Sequence, residues 1–154
     1  MKKQLATLLL TFIFCFTTVV PGFAADSALP MADKISAMEK MLYGTEQSGS
    51  LIQRVDSLED DVYGTVTTDS IITRADNMYD YLEGTPDNGE ASFATKLNVV
   101  EWKMNESMSG GPAKNRMEAT EKLLYGQTQS GSLSGRLESL LKLASYTDGN
   151  VPVQ

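Results

Sequence analysis

The sequence predicts an all-helical protein built from six short amphipathic helices of one repeated design, and two observations predict it. A basic residue recurs with spacings of 20, 20, 22, 20 and 20 residues. Around each basic residue, the positions at −3, +1, +4 and +8 are apolar in 23 of 24 cases, Thr120 being the exception. This spacing puts four side chains on one helical face, whereas a strand would need alternation. The basic residues are Lys34, Arg54, Arg74, Lys96, Arg116 and Arg136.

Residues 1–24 are predicted to be a secretory signal peptide. Two lysines open the segment, an apolar run covers residues 5–20, and small residues surround a cleavage point after Ala24 or Ala25. The run of 16 residues is shorter than the roughly 20 that a spanning helix needs. No later segment is long and apolar enough to cross a bilayer, so no membrane span is expected after cleavage.

The helix ends carry the residue types that terminate helices. Serine precedes the first apolar position of four repeats, where its hydroxyl can accept from the unpaired first-turn amides. These serines are Ser50, Ser70, Ser92 and Ser132. Glycine follows the last apolar position of four repeats, where a left-handed residue ends a helix without strain. These glycines are Gly44, Gly64, Gly84 and Gly126. The fourth repeat has Glu106 instead, so its helix is predicted to continue towards Gly110-Gly111-Pro112.

One repeat cannot bury its apolar face alone, so the six helices are expected to pack on one another. A repeat of 20 residues holds one helix and a loop of about seven, which suggests antiparallel neighbours. The expected architecture is three stacked helical hairpins over residues 25–146, as a short solenoid or a closed bundle. Residues 147–154 are predicted to be a disordered tail.

Composition narrows the function. Without Lys2 and Lys3, the mature chain has 11 basic and 20 acidic residues, a net charge of −9, which disfavours nucleic acid and anionic membrane surfaces. It has no histidine and no cysteine, so disulfides, the usual zinc sites and the commonest nucleophile–base pairs are excluded. Residues 87–90 lack the alternating oxygen ligands of a calcium loop. No catalytic residue, cofactor or metal is predicted.

Recurring charges flank the apolar stripe. Four arginines and four glutamates project to opposite sides of it, well placed to meet the opposite flank of a neighbouring helix. We therefore predict an interhelical ladder that fixes the register of the helices. Its members are Arg54, Arg74, Arg116, Arg136, Glu39, Glu59, Glu101 and Glu121. The alternatives are a row of cations that binds an anionic polymer, and glutamates acting as the acid and base of a hydrolase.

Four aromatic residues are candidates for contact with a partner. Trp102, the only tryptophan, lies nearly opposite the apolar stripe of its helix, where it could be a binding anchor. Tyr43, Tyr63 and Tyr125 each precede a glycine at a helix end, where they could pack on the next loop or stack on carbohydrate.

The repeat resembles a short helical repeat of secreted bacterial proteins. The likeness rests on Leu58-Glu59, Val62-Tyr63-Gly64, Ser70-Ile71 and Arg74, and it is strong in the first, second and last copies. The resemblance implies a bacterial, exported helical module, and it implies no activity, cofactor or ligand site.

The function expected from the sequence is binding or scaffolding in the bacterial cell envelope, without catalysis. The predicted location is the periplasm, the envelope or the extracellular medium. The expected partner is a protein or another envelope component, and self-association is possible. The alternative is a carrier whose methionine-rich stripe lines a space for an apolar ligand or lipid.

Overall fold

The computed structural model describes residues 29–84 and 89–146. Within these ranges the chain forms six helices and no strand, packed on one another as a bundle, which confirms the predicted fold class. The helices are α1 (Met31–Tyr43), α2 (Leu51–Tyr63), α3 (Ile71–Leu82), α4 (Phe93–Asn105), α5 (Ala113–Tyr125) and α6 (Leu133–Tyr146). The predicted signal peptide and tail lie outside the described residues.

The apolar stripe forms the core. All 18 apolar side chains that are buried within the described ranges stand at predicted stripe positions. The exceptional Thr120 is buried too, and its hydroxyl donates to the carbonyl of Arg116 at 3.1 Å. Met38, Met78 and Met117, which the carrier alternative assigned to a ligand space, are fully buried in this core.

The predicted serine caps are present. Ser50 accepts from the backbone N–H of Gln53, whose side chain accepts from the N–H of Ser50, a complete capping box. Ser70 and Ser92 accept from the amide three residues later. Three of the four predicted terminal glycines are left-handed, with φ values of 83°, 76° and 76°. They are Gly44, Gly64 and Gly126.

Two predictions about helix ends were wrong. α3 ends at Leu82, and Glu83 rather than Gly84 caps it, with a φ of −122°. α4 does not continue towards Gly110, because Glu106 itself adopts the left-handed conformation at φ 53° and ends the helix. The chain turns there despite the strain on a residue with a Cβ, since the following loop must reach its contact with Glu101.

We predict that Glu106→Gly stabilises the protein by about 1 kcal/mol, because glycine adopts the left-handed conformation without the steric cost that glutamate bears. Urea denaturation followed by circular dichroism measures the change. Gly44→Ala is the matched opposite: its φ is 83°, and a Cβ there would lie 2.7 Å from Cγ of Pro112, so it should destabilise. An unchanged stability in Glu106→Gly would contradict the strain at this position.

The side-chain contacts give the helices a different course from the expected antiparallel hairpins. Arg54, near the start of α2, donates to Ser36 in the first half of α1 at 3.1 Å. Tyr43, the last residue of α1, donates to Asp61 near the end of α2 at 2.8 Å. Start meets start and end meets end, so α1 and α2 run in the same direction. The loop between them allows this, because seven extended residues reach ~23 Å and a helix of 13 residues is ~20 Å long.

The same relation holds around two groups of three helices. Tyr63 and Tyr81, near the ends of α2 and α3, have ring centres 5.4 Å apart. Each of α1, α2 and α3 contacts the other two, and so does each of α4, α5 and α6. We call these groups the first triplet and the second triplet. Each is a set of parallel helices around its own share of the core.

The two triplets stack end to end. α1 contacts α5, α2 contacts α6 and α3 contacts α4. Gly44, which follows α1, lies against Pro112, which precedes α5, and Gly64 after α2 lies near Ser132 before α6. The ends of the first three helices therefore meet the starts of the last three.

Candidate interaction surface

A buried glutamate holds each repeat to the next. It accepts from a loop amide eight residues later and from an arginine fifteen residues later, so one carboxylate joins three segments of chain. Glu39 accepts from Gln47 and Arg54, Glu59 from Thr67 and Arg74, Glu101 from Ser109 and Arg116, and Glu121 from Gln129 and Arg136. The predicted arginines and glutamates thus meet in interhelical pairs; that the pairs set the register stays a prediction.

Glu59 shows the geometry of this contact. Its carboxylate accepts from Nε and a terminal nitrogen of Arg74 at 3.1 and 2.8 Å, and from the amide and hydroxyl of Thr67, both at 3.0 Å. Burial alone would raise the pKa of Glu59, but the hydrogen bonds from Arg74 and Thr67 outweigh it and hold the pKa below its ordinary value. The carboxylate is therefore ionised at neutral pH and fully engaged.

A lysine closes each triplet into a ring of contacts. Lys34 of α1 donates to Asp76 of α3 at 2.8 Å and lies 5.6 Å from the ring centre of Tyr79. Lys96 of α4 donates to Glu138 of α6 at 3.2 Å. Each basic residue thus reaches the preceding helix of its own triplet, and the first helix reaches the third.

The ion pairs leave little of the arginine row accessible. The four guanidinium side chains are 8–14% exposed, and each is hydrogen-bonded to its glutamate. A row of free cations for an anionic polymer is therefore not what the structure presents at these positions. The recurring glutamates are engaged in the same pairs, so they do not form a separate carboxylate site. No group of acidic residues that could hold a metal is present among the residues described.

The three candidate tyrosines occupy different environments. Tyr43 is half-buried and donates to Asp61, and burial together with this bond raises the pKa of its hydroxyl. Tyr63 is half-buried against Tyr81. Tyr125 is exposed at the end of α5. Only Tyr125 therefore presents a largely free ring, while the other two pack within the first triplet.

Two polar grooves lie at equivalent places of the repeat. The first, of about 470 Å³, is bordered by Tyr43, Arg54, Asp61 and Lys114. The second, of about 430 Å³, is bordered by Tyr125 and Arg136 together with serines of the adjoining loop and helix. The charged groups of the first groove already satisfy one another, because Lys114 donates to Asp61 at 3.3 Å and lies 5.6 Å from the ring centre of Tyr43. This groove serves the junction between the triplets.

The outer face of α4 carries an exposed apolar patch formed by Val99, Trp102 and Met108. Trp102 is 61% exposed and Met108 62%. Val99 lies one turn before Trp102 on the same face and is exposed as well. We call these three residues the α4 patch.

Comparison with the first repeat shows that the α4 patch replaces a charged contact. Sixty-two residues earlier, the positions of Trp102 and Met108 are occupied by Lys40 and Glu46. Those two form a surface ion pair, with Nζ and Oε1 2.6 Å apart. The equivalent positions in the fourth repeat therefore bring the indole and the thioether side by side on the surface. The sequence singled out Trp102 but missed Met108, because the loop contact that joins them could not be read from helical spacing.

Comparisons with known proteins found no match: no family model, no curated protein and no solved structure is similar to this chain. In the part of the chain that the structure describes, no helix has both the length and the apolar character to cross a membrane.

Proposed function

We propose that this chain is an exported, non-enzymatic helical repeat protein that binds another protein of the bacterial cell envelope through the α4 patch. The observation that carries the proposal is the exposure of Trp102 and Met108 where the first repeat has an ion pair. Large apolar side chains exposed together are costly for a monomer and are typical of binding surfaces. Tryptophan and methionine are enriched at protein interfaces, and tryptophan is enriched among the residues that dominate binding energy.

The proposed location in the envelope rests on the signal-peptide pattern of residues 1–24 and on the resemblance to exported repeats. The proposed partner is a protein with an apolar pocket for the indole, because the negatively charged chain disfavours nucleic acid and anionic surfaces. The buried ion pairs hold the parallel helices together and so form a rigid support for the patch.

Retention of envelope proteins on the immobilised chain tests the proposal. We expect Trp102→Ala to lower the affinity for the partner by about tenfold or more, as for a residue that dominates an interface, with no change in melting temperature. Val66→Ala, which shortens an exposed apolar side chain elsewhere, is the matched control and should bind as the wild type does.

A direct readout follows from the single tryptophan. Adding the purified partner should shift the fluorescence of Trp102 to shorter wavelength, because binding removes the indole from water. If no envelope protein is retained, or if the same proteins are retained equally by Trp102→Ala with no fluorescence shift, the proposal is wrong.

A further inference from the structure

The two open ends of the stacked triplets carry exposed apolar side chains. Ile52 and Ile72 stand in the first turns of α2 and α3, at the start of the first triplet. Leu123 and Tyr125 stand in the last turn of α5, at the end of the second triplet. Ile52 is 56% and Leu123 65% exposed, and the other two are exposed as well. Because the helices run parallel and the triplets stack end to end, these two pairs lie at opposite ends of the molecule.

The junction inside the chain shows how an end of one triplet fits the start of another. Lys114, in the first turn of α5, donates to Asp61 in the last turn of α2 at 3.3 Å. Pro112, before α5, lies against Gly44 after α1. One charged pair and one close backbone approach therefore join the end of the first triplet to the start of the second.

A shift of 62 residues converts the first triplet into the second, since it carries Lys34 to Lys96 and Arg54 to Arg116. Applied to the charged pair of the junction, the shift replaces Asp61 by Leu123, and the reverse shift replaces Lys114 by Ile52. At the two free ends, the ion pair thus becomes an apolar pair. The two residues that would face each other have changed character together.

We propose that the chain associates head to tail with further copies of itself, with Ile52 of one copy packed on Leu123 of the next. The start of one first triplet then sits on the end of the neighbouring second triplet, as the second triplet sits on the first within the chain. The proposal concerns the ends of the molecule and does not rest on the α4 patch.

Two further observations fit this arrangement. Stacking places the positive starts of one set of helices against the negative ends of another, which is the favourable orientation of helix dipoles. At the end of α4, the side-chain oxygen of Asn105 is buried and has no hydrogen-bond partner among the described residues, so this end is incomplete in a single copy. An interface between two different surfaces does not close on itself in a dimer, so it generates a ring or a filament.

Sedimentation velocity over a wide range of concentrations tests the proposal. The chain from Ala25 onward is suitable, since it retains every residue of the core. The wild type should grow in mass with concentration. Ile52→Lys alone and Leu123→Asp alone should each weaken association by about tenfold or more, because a charge then faces an apolar side chain without a partner. Both residues are largely exposed, so melting temperatures should not change.

Mixing the two variants is the decisive arm. Lys at position 52 of one copy then faces Asp at position 123 of the other, which reproduces the Lys114–Asp61 pair of the internal junction. Association should return in the mixture to within a few-fold of the wild type. Trp102→Ala should associate as the wild type does, which separates this inference from the proposed function.

The proposal is overturned if the wild type stays monomeric at every concentration, or if association survives both single substitutions. It is also overturned if the mixture associates no better than either variant. A chain limited to residues 29–146 completes the test: if it associates while the longer chain stays monomeric, the terminal segments rather than a second copy cover the ends.

Discussion

Glu59→Ala is expected to destabilise the protein by about 3–5 kcal/mol, the cost of leaving a buried charge without its partner. Arg74 is 8% exposed on its side chain and would lose two hydrogen bonds from Nε and the guanidinium nitrogen. The amide and hydroxyl of Thr67 would lose their acceptor in the same step. The effect therefore reaches the loop between α2 and α3 as well as α3 itself. Urea denaturation followed by circular dichroism measures it.

The stability of the wild type should also fall in acid in a way that the variant does not share. The folded pKa of Glu59 is lowered from the ordinary value of 4.5. Its contribution is therefore fully present above about pH 4.5 and is lost as the pH falls through the folded pKa. Glu59→Ala has no such group at this site, so its stability should decline less steeply below pH 4.5.

Two controls separate the buried pair from general effects of charge. Asp60→Ala removes the neighbouring but exposed carboxylate and should change stability by less than about 0.5 kcal/mol. The double variant Glu59→Leu and Arg74→Met should recover most of the loss, since an apolar pair of similar volume often replaces a buried ion pair at little cost. A loss of less than about 1 kcal/mol in Glu59→Ala would contradict the role of these pairs in holding the helices.

The apolar stripe was predictable because burial imposes a period on the sequence. Every helix needs its four inward positions, so even the exceptional Thr120 falls in the core, where its hydroxyl is satisfied by the backbone. Helix ends were less predictable. Glu106 ends α4 without the help of glycine, because the tertiary contact between Ser109 and Glu101 fixes the loop more strongly than local preference does.

The direction of the helices could not be derived from the period of 20 residues, because a seven-residue loop can either turn or run back along the helix. The sequence nevertheless contained a sign of the triplets. The basic residue is lysine in the first and fourth repeats, and the glutamate position is taken by Tyr79 in the third and Leu141 in the sixth. Each triplet therefore begins and ends with an altered member of the pair, where lysine closes the ring. The α4 patch was half-predicted, through Trp102 alone.

Phe93→Ala is expected to cost about 3–5 kcal/mol, as for other fully buried phenylalanines. Phe93 opens α4 at the junction of the triplets, and its ring centre lies 6.1 Å from that of Tyr81. Tyr81 in turn lies 5.4 Å from Tyr63, so three rings from α2, α3 and α4 form a continuous contact across the junction. Burial also raises the pKa of Tyr81 to about 12, so the hydroxyl stays neutral at this contact. Chemical denaturation measures the loss, and Phe93→Leu, which keeps most of the volume, should cost less than about 1.5 kcal/mol.

The same variant decides whether the two triplets form one cooperative unit. α1 contacts α5, α2 contacts α6 and α3 contacts α4, so opening the second triplet exposes core on the first. Hydrogen exchange of Phe93→Ala should therefore show lower protection in α1, α2 and α3 as well as in α4, α5 and α6. Protection lost in the second triplet alone would mean that the triplets are independent domains that merely touch. In that case a stacked second copy would gain little from the same junction, because the contact would be too weak to couple the two sides.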